Sequence, residues 1–257
     1  MLKEIAIRIK QGHRTMKFPA GSPPALPERY RGLPLIKSDL CPPDCRDCIE
    51  ACPTGAITQA EEGKTLDIGK CIFCSDCMTA CNHNAINFSK EYRMAVSKRE
   101  DLLMSEDQQV LNLAEGLNKQ MKRVFGRSLK LRQVSAGGCN ACEADINVLG
   151  TIGWDLGRFG IEFVPSPRHA DGLLITGPIT KNMVLALQKA YVAIPDPKFV
   201  IAVGTCALSG GLYLGHDAVE NGVESLFPVD LFIPGCPPNP LTTLDGLLRL
   251  IGKIKPE

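Results

Sequence analysis

The sequence predicts two folding units in succession, a small cysteine-rich α+β unit near the front and a larger α/β unit with a parallel sheet behind it. Three observations predict this arrangement. The chain has 257 residues, which is enough for two modest domains, and a cysteine motif is repeated in its first half. Beyond residue 128, short apolar strands alternate with helical segments.

Twelve cysteines against four histidines is the most unusual feature of the composition. Ten of the twelve lie in tight groups, and neighbours separated by two or three residues seldom satisfy the geometry of a disulfide. They suit the ligands of a metal cluster instead. The net charge of +1 gives no indication of a nucleic-acid partner, and we expect none.

The apolar stretches do not resemble export or membrane signals. The N-terminal run "MLKEIAIRIKQGHR" has charges among its apolar positions, unlike a secretory signal. The longest uncharged run, residues 199–215, is shorter than a membrane span and is interrupted by glycines. We therefore expect a cytoplasmic chain that any membrane complex would hold through partner subunits.

An internal repeat organises the front of the chain. The segment "CRDCIEACPTGAIT" (45–58) aligns with "CSDCMTACNHNAIN" (74–87) at an offset of 29 residues. The doubled Cys-x-x-Cys-x-x-Cys-x-x-x-Cys pattern resembles that of bacterial-type ferredoxins with two [4Fe–4S] clusters, in which the fourth cysteine of each run binds the other cluster. Three thiolates on one tight loop can bind three corners of a cubane, and the fourth corner is reached from the other half of the unit.

This crossed rule assigns eight cysteines to two clusters. The first set is Cys41, Cys45, Cys48 and Cys81, and the second is Cys71, Cys74, Cys77 and Cys52. Two departures from the pattern are present: three residues instead of two separate Cys41 from Cys45, and Asn82 stands where a proline is usual. Cys41 is therefore the least regular ligand. A pair of zinc sites is the alternative, but zinc needs neither a third cysteine at this spacing nor a crossed repeat.

The second half reads as alternating strands and helices. Buried-type strands with β-rich apolar cores, joined through helices, predict a parallel sheet covered on both faces. The predicted strands are residues 128–135, 160–164, 171–177, 198–204 and 229–235. The predicted helices are residues 143–153, 180–194 and 240–254.

The last four cysteines follow three of these strands. Since ligands of parallel sheets gather at the carboxyl ends of the strands, the four thiolates are expected to converge at one rim. The set consists of Cys139, Cys142, Cys206 and Cys236. Glycines in the loops "GTCALSGG" and "PGCPP" would let backbone N–H groups approach cluster sulfurs. A third [4Fe–4S] cluster would use every remaining cysteine.

The four motifs "SAGGCNACEADI", "SPRHADGLLITGP", "AVGTCALSGG" and "LFIPGCPPNP" resemble the family that joins the cluster-bearing 20 kDa subunit of respiratory complex I with the small subunit of [NiFe]-hydrogenases. The resemblance covers roughly residues 129–255 and implies a flavodoxin-like fold. The front half, including "LPERYRGLP", is similar to the dicluster ferredoxin subunit of formate hydrogenlyase and related complexes. The chain would then fuse two subunits that are usually separate.

On this basis we divide the chain into four segments. They are an N-terminal helix and extended partner-contacting segment (1–33), the ferredoxin unit (34–92), a linker with an amphipathic helix (93–128) and the flavodoxin-like unit (129–257). In the linker, "SEDQ" (105–108) fits a capping box, and apolar residues recur at helical spacing from Val110 to Val124. We expect this helix to pack on its own domain, with partner docking as the alternative.

The spacing of the first motif favours the hydrogenase branch of the family. Complex I subunits resemble one another in carrying adjacent cysteines there, whereas Cys139 and Cys142 are separated by two residues. The resemblance implies the electron-transfer subunit of a membrane-associated oxidoreductase complex of the energy-converting or formate-hydrogenlyase type. A separate large subunit would hold the nickel–iron site, with membrane-arm subunits and a ferredoxin or formate-oxidising electron donor as further partners.

Two other functions remain open. A complex-I-like subunit would pass electrons from NADH or ferredoxin to quinone, and a cluster-binding scaffold or redox sensor would need only one centre. The resemblance also implies that Glu143, which follows Cys142, carries protons toward the nickel site. The alternative for Glu143 is an acidic residue in the first turn of a helix, where the helix dipole favours it.

Overall fold

The computed structural model describes residues 2–12, 14–42, 44–60, 63–105, 110–116 and 128–254. The chain begins with helix α1 (Leu2–Gln11), whose residues are all exposed. The segment after it is attached to the second half of the chain: Met16 N donates to Gly153 O at 2.9 Å, and Arg158 donates to the carbonyls of Met16 and Phe18. Phe18 is buried.

The front unit contains two small antiparallel sheets and two short helices. Its elements are β1 (Pro34–Ile36), α2 (Asp47–Glu50), β2 (Ile57–Ala60), β3 (Gly63–Asp67), α3 (Asp76–Ala80), β4 (Ile86–Phe88) and β5 (Leu103–Met104). β1 pairs with β4, and β2, β3 and β5 form the second sheet. Helices α2 and α3 begin 29 residues apart, so the sequence repeat is also a structural repeat.

The second unit is a five-stranded parallel sheet with helices. Its elements are β6 (Leu129–Ser135), α4 (Ala141–Val148), β7 (Ile161–Phe163), β8 (Gly172–Thr176), α5 (Lys181–Ala193), β9 (Phe199–Val203), α6 (Thr205–Ser209), β10 (Leu231–Ile233) and α7 (Pro240–Leu250). The strand order is β10-β9-β8-β6-β7, and all neighbours are parallel. This is the 2-1-3-4-5 order of flavodoxin-like folds, which confirms the predicted fold class.

The two central strands explain why the sheet is parallel and covered on both sides. β8 ("GLLIT") and β9 ("FVIAV") are buried along their whole length and carry uninterrupted apolar runs. On one face α7 packs its leucines into a core with Leu129 and Ile201. On the other face the core continues into the front unit, because Leu173 and Ile175 belong to the same buried cluster as the front-unit residues Leu66 and Leu102.

The stretch between the two units differs from the prediction. Residues 110–116 are not helical in the structure, so the helix predicted from Val110 onward is wrong over this range. The reason is a competing partner: Ala114 N donates to Ala95 O at 2.8 Å, and Glu115 N donates to the hydroxyl of Ser97. The rest of the predicted capping box and helix (106–109 and 117–127) lies outside the described residues.

The linker also contributes to both units. Val96 forms an antiparallel bridge with Phe232 of β10, and β5 completes the second sheet of the front unit. The segment boundaries given above stay predictions. Within the described ranges, no helix has both the length and the apolar character needed to cross a membrane.

Candidate iron–sulfur sites

The twelve cysteines are all described by the structure, and all are free thiols. We name the three predicted ligand sets by position. The outer site is Cys41, Cys45, Cys48 and Cys81. The inner site is Cys52, Cys71, Cys74 and Cys77. The third site is Cys139, Cys142, Cys206 and Cys236.

The four cysteines of the inner site border one cavity. The other residues that border it are mostly apolar: Pro34, Ile36, Thr54, Ala56, Ile57, Leu66, Ile72, Ser75, Ile86 and Phe88. A chamber with four thiols and apolar walls suits a cluster that must be shielded from water. The donor set and the cavity therefore fit a [4Fe–4S] group.

Burial and crowding make these thiols hard to ionise without a cation. Burial, together with the neighbouring charges of Cys77, Cys52 and Cys74, raises the pKa of Cys71 to about 12, although the hydrogen bond from the Phe73 backbone lowers it. Burial likewise raises the pKa of Cys77 to about 11, again with Cys52 and Cys74 contributing. Iron binding would supply the positive charge that stabilises four thiolates in one place.

The loop that carries the inner cysteines is held from the segment "LPERYRGLP". In this cysteine loop, two residues other than glycine have a positive φ: Phe73 (φ 57°) and Ser75 (φ 73°). The Arg31 guanidinium donates to the carbonyls of Phe73 and Cys74, each at 2.6 Å, and to the Ser75 hydroxyl at 3.2 Å. Arg31 thus stabilises a left-handed backbone conformation that residues other than glycine rarely adopt.

The outer site lies on the first repeat loop. Burial raises the pKa of the Cys48 thiol, while the Lys64 charge lowers it and the charges of Cys41 and Cys45 raise it, so these groups lie close together. Cys41 Sγ accepts a hydrogen bond from Lys64 Nζ at 3.0 Å.

Cys81 and Cys52 hold equivalent places in the two halves of the repeat. Cys81 Sγ accepts from Ala85 N at 3.3 Å, and Cys52 Sγ accepts from Ala56 N at 3.2 Å. The membership of Cys81 in the outer set stays a prediction from the crossed repeat.

The four cysteines of the third site follow the carboxyl ends of β6, β9 and β10. Their service as ligands of one cluster stays a prediction. Burial raises the pKa of Cys142, and the charges of Glu143, Cys206, Cys236 and Cys139 raise it further. Burial raises the pKa of Cys206 to about 11, with Cys236 and Cys139 as its charged neighbours. The four thiols, distant in sequence, therefore lie together. Cys139 and Cys236 are exposed.

Two glycines leave space for the sulfurs of the third site. A Cβ at Gly204 (φ 88°) would lie 2.5 Å from Cys142 Sγ. A Cβ at Gly211 (φ 57°) would lie 3.0 Å from Cys206 Sγ. Both positions also have a φ that favours glycine. The expected approach of backbone N–H groups to cluster sulfurs stays a prediction.

Two hydroxyls of α6 join the third site to the inner site. Thr205 Oγ1 donates to Cys71 O at 2.7 Å and lies 3.2 Å from Gly235 O. Ser209 Oγ donates to Gly69 O at 3.0 Å. A charge on Cys74 would also raise the pKa of Cys236 across this junction. The inner site is therefore the front-unit site that adjoins the third one.

Sequence reasoning missed Thr205, Ser209, Arg31 and Lys64. Thr205 and Arg31 each carried a local signal, because Thr205 precedes a predicted ligand and Arg31 lies in the quoted family motif. Lys64 carried none, since its contact with Cys41 depends on the pairing of β2 with β3.

Glu143 lies in the first turn of α4 and is 7% exposed. The Thr176 hydroxyl donates to Glu143 Oε1 at 2.6 Å. Burial raises the pKa of Glu143, but hydrogen bonds from Ser135 and Thr176 outweigh burial and lower the pKa below its ordinary value. A role in proton transfer stays a prediction.

A site for a single metal ion is a different question from a site for a cluster. Among the described residues, no group of three or more His, Cys, Asp or Glu side chains is placed to bind one metal ion. A cubane cluster does not need such a group, because each thiolate binds a different iron atom.

The doubled cysteine repeat and the parallel sheet with cysteines at its rim define the class: an iron–sulfur protein of oxidoreductase complexes. Residues 139–250 match the family described as "NADH ubiquinone oxidoreductase, 20 Kd subunit", and residues 40–86 match the "4Fe-4S dicluster domain". The chain belongs to the family that unites the 20 kDa subunit of complex I with the small subunit of [NiFe]-hydrogenases.

Three relatives illustrate the breadth of this family. The chain is 40% identical to formate hydrogenlyase subunit 7 of Escherichia coli K12 over 152 residues, which is 59% of this chain and 58% of that protein. It is 38% identical to a probable membrane-bound hydrogenase subunit (mbhJ) of Pyrococcus furiosus, over 52% of this chain and 81% of that protein. It is 43% identical to an NADH-quinone oxidoreductase subunit of Heliobacterium modesticaldum, over 47% of this chain and 69% of that protein.

The chain thus spans somewhat more than half the length of the formate hydrogenlyase subunit. A chain in the solved structure of an archaeal membrane-bound sulfane sulfur reductase is 33% identical, with a TM-score of 0.46 over 52% of this chain and 75% of that chain.

Proposed function

We propose that the chain is the electron-transfer small subunit of a multi-subunit, membrane-associated [NiFe]-hydrogenase. It would relay electrons through three [4Fe–4S] clusters to or from the nickel–iron site of a partner large subunit, where two protons and two electrons form H2 reversibly. Two of the three relatives described above carry hydrogenase or hydrogenlyase names. The two-residue spacing between Cys139 and Cys142 supports the same branch.

The junction between the inner and third sites carries this proposal. Because Thr205 binds the Cys71 carbonyl and precedes Cys206, one hydrogen bond links a predicted inner ligand to a predicted third-site ligand. Electron transfer between metal centres slows steeply with distance, so an adjoining pair is what a relay requires. The order that follows is outer site, inner site, third site.

The clusters would supply the one-electron chemistry, and the chain's residues would control it. The predicted ligands are the twelve cysteines of the three sites. Apolar walls exclude water from the inner site, and hydrogen bonds and charges near each sulfur set its reduction potential. The exposed thiols Cys139 and Cys236 would face the large subunit.

The proposed setting is the cytoplasmic face of a membrane, reached through partners. These partners are the large subunit with the nickel–iron site, the membrane-arm subunits and a ferredoxin or formate-oxidising donor. The relative from Pyrococcus furiosus is named as a subunit of a membrane-bound hydrogenase, which supports a peripheral location.

The test is a metal count and an activity measurement on the purified native complex. We expect nickel, a large partner with paired Cys-x-x-Cys motifs, H2 formation from a reduced low-potential donor, and about twelve iron and twelve sulfide atoms on this chain. A count of about eight iron atoms on this chain would show that one of the three proposed clusters is absent. Absence of nickel would overturn the hydrogenase assignment.

The second candidate is a complex-I-like subunit that passes electrons to quinone. The 43% identity to the NADH-quinone oxidoreductase relative favours it. In that case the purified complex would contain no nickel, and its oxidation of a donor would depend on added quinone.

A further inference from the structure

Lys64 is an unusual residue for the interior of the front unit. It lies on β3 and is 4% exposed, although lysine is almost never fully buried unless it is paired. Its ammonium nitrogen lies 3.0 Å from the sulfur of Cys41, the predicted outer-site ligand with the irregular spacing. β2 places it there, because Lys64 pairs with Gln59 across the hairpin.

The corresponding ligand of the inner site has a different environment. Cys71 Sγ accepts only a backbone N–H in the described contacts, from Phe73 at 3.4 Å. None of the described residues that border the inner cavity is charged. Arg31 contacts the inner loop, but it is exposed and binds carbonyl oxygens, so solvent screens its charge.

A buried cation beside a ligand sulfur has a definite effect on redox chemistry. Reduction adds one negative charge to a cluster, and a lysine ammonium is positively charged at neutral pH. The attraction between the two is larger in a buried place than in water, because the local dielectric constant is lower. Such a cation stabilises the reduced state and raises the reduction potential.

We propose that Lys64 raises the reduction potential of the outer cluster. Since the relay order is outer, inner, third, Lys64 would hold an electron from a low-potential one-electron donor at the entry end. Lys64 is not itself a predicted ligand of the cluster. It acts by placing a positive charge next to the Cys41 sulfur. This inference rests on the outer site binding a cluster, as the proposed function states.

The test is a redox titration of the purified complex, followed by electron paramagnetic resonance so that each cluster has its own midpoint potential. Three variants are compared with the wild type. Lys64→Gln removes the charge and keeps a hydrogen-bond donor, Lys64→Arg keeps both, and Lys37→Gln removes an exposed charge from the same unit. We expect one of the three midpoint potentials to move to a lower value in Lys64→Gln. It should stay near the wild-type value in Lys64→Arg and Lys37→Gln.

Two results would overturn the inference. One is an unchanged set of midpoint potentials in Lys64→Gln at full iron content. The other is a fall of about four iron atoms in Lys64→Gln, because Lys64 would then be needed to build the outer site and not to tune it. The wild-type nickel content tests the hydrogenase assignment separately, so its absence would leave the inference on Lys64 standing. A wild-type complex without the outer cluster would contradict both the three-cluster relay and this inference.

Discussion

The outer and inner sites arise from one repeat, but their surroundings differ. The inner cysteines border a cavity lined by uncharged residues, and hydroxyls of α6 bind their loop. The outer loop carries exposed acidic residues, among them Asp44 and Asp47, and has a buried lysine at one sulfur. The repeat therefore determines which thiolates are available, whereas the packing around each half determines what that half can do.

The largest expected effect comes from removing one ligand of the inner site. Cys71→Ser should lose the inner cluster and reduce donor-driven H2 formation to background, because the inner site joins the other two. Cys41→Ser is the matched control, and it should leave the inner and third signals in place. Iron content and paramagnetic resonance spectra measure both. Full iron content and activity in Cys71→Ser would contradict the relay order.

The next prediction concerns the third site alone and distinguishes its iron content from that of the front unit. Gly204→Ala places a Cβ 2.5 Å from Cys142 Sγ, so we expect about four iron atoms to be lost while the two front clusters remain. Gly215→Ala is the control, because Gly215 has a similar φ (78°) but nothing within 4 Å of the added atom. That variant should cost about 1 kcal/mol in stability and keep all its iron. Equal iron content in the two variants would show that the contact with Cys142 is unimportant.

A smaller effect tests the junction between the inner and third sites. Ser209→Ala leaves the buried carbonyl of Gly69 without its donor, which costs about 1–3 kcal/mol. For a chain of this size, each kcal/mol lowers the midpoint of thermal unfolding by about 2–4 °C. Ser225→Ala is the control, since the Ser225 hydroxyl binds Gly222 O within its own turn. Equal midpoints in the two variants would mean that the junction adds no stability.

Thr205→Val tests the same junction through electron transfer. It removes the hydroxyl that binds Cys71 O at nearly constant side-chain volume. Rapid-mixing measurements should show slower oxidation of the inner cluster by the third, with the iron content unchanged. An unchanged rate would show that this hydrogen bond does not contribute to electron transfer between the inner and third clusters.

The sequence was sufficient for the parts of the molecule that depend on local patterns. The apolar runs of β8 and β9 predicted a buried parallel sheet, and the 29-residue offset predicted a structural repeat. The helix beginning at Val110 was wrong because Ala114 donates to Ala95, a partner outside its own segment. Contacts such as Thr205 with Cys71, 134 residues apart, depend on how the two units pack, and no spacing in the sequence contains that information.

The smallest expected effect compares the two cations near the front clusters. Arg31→Gln removes an exposed charge that contacts carbonyl oxygens of the inner loop, whereas Lys64→Gln removes a buried charge at a sulfur. Solvent screens the exposed charge, so the inner midpoint potential should move less in Arg31→Gln than the outer one does in Lys64→Gln. The lost hydrogen bonds should instead make the inner cluster easier to remove with a chelator, because the Phe73 and Ser75 turns lose their support. A potential shift in Arg31→Gln as large as that in Lys64→Gln would show that burial does not distinguish the two sites.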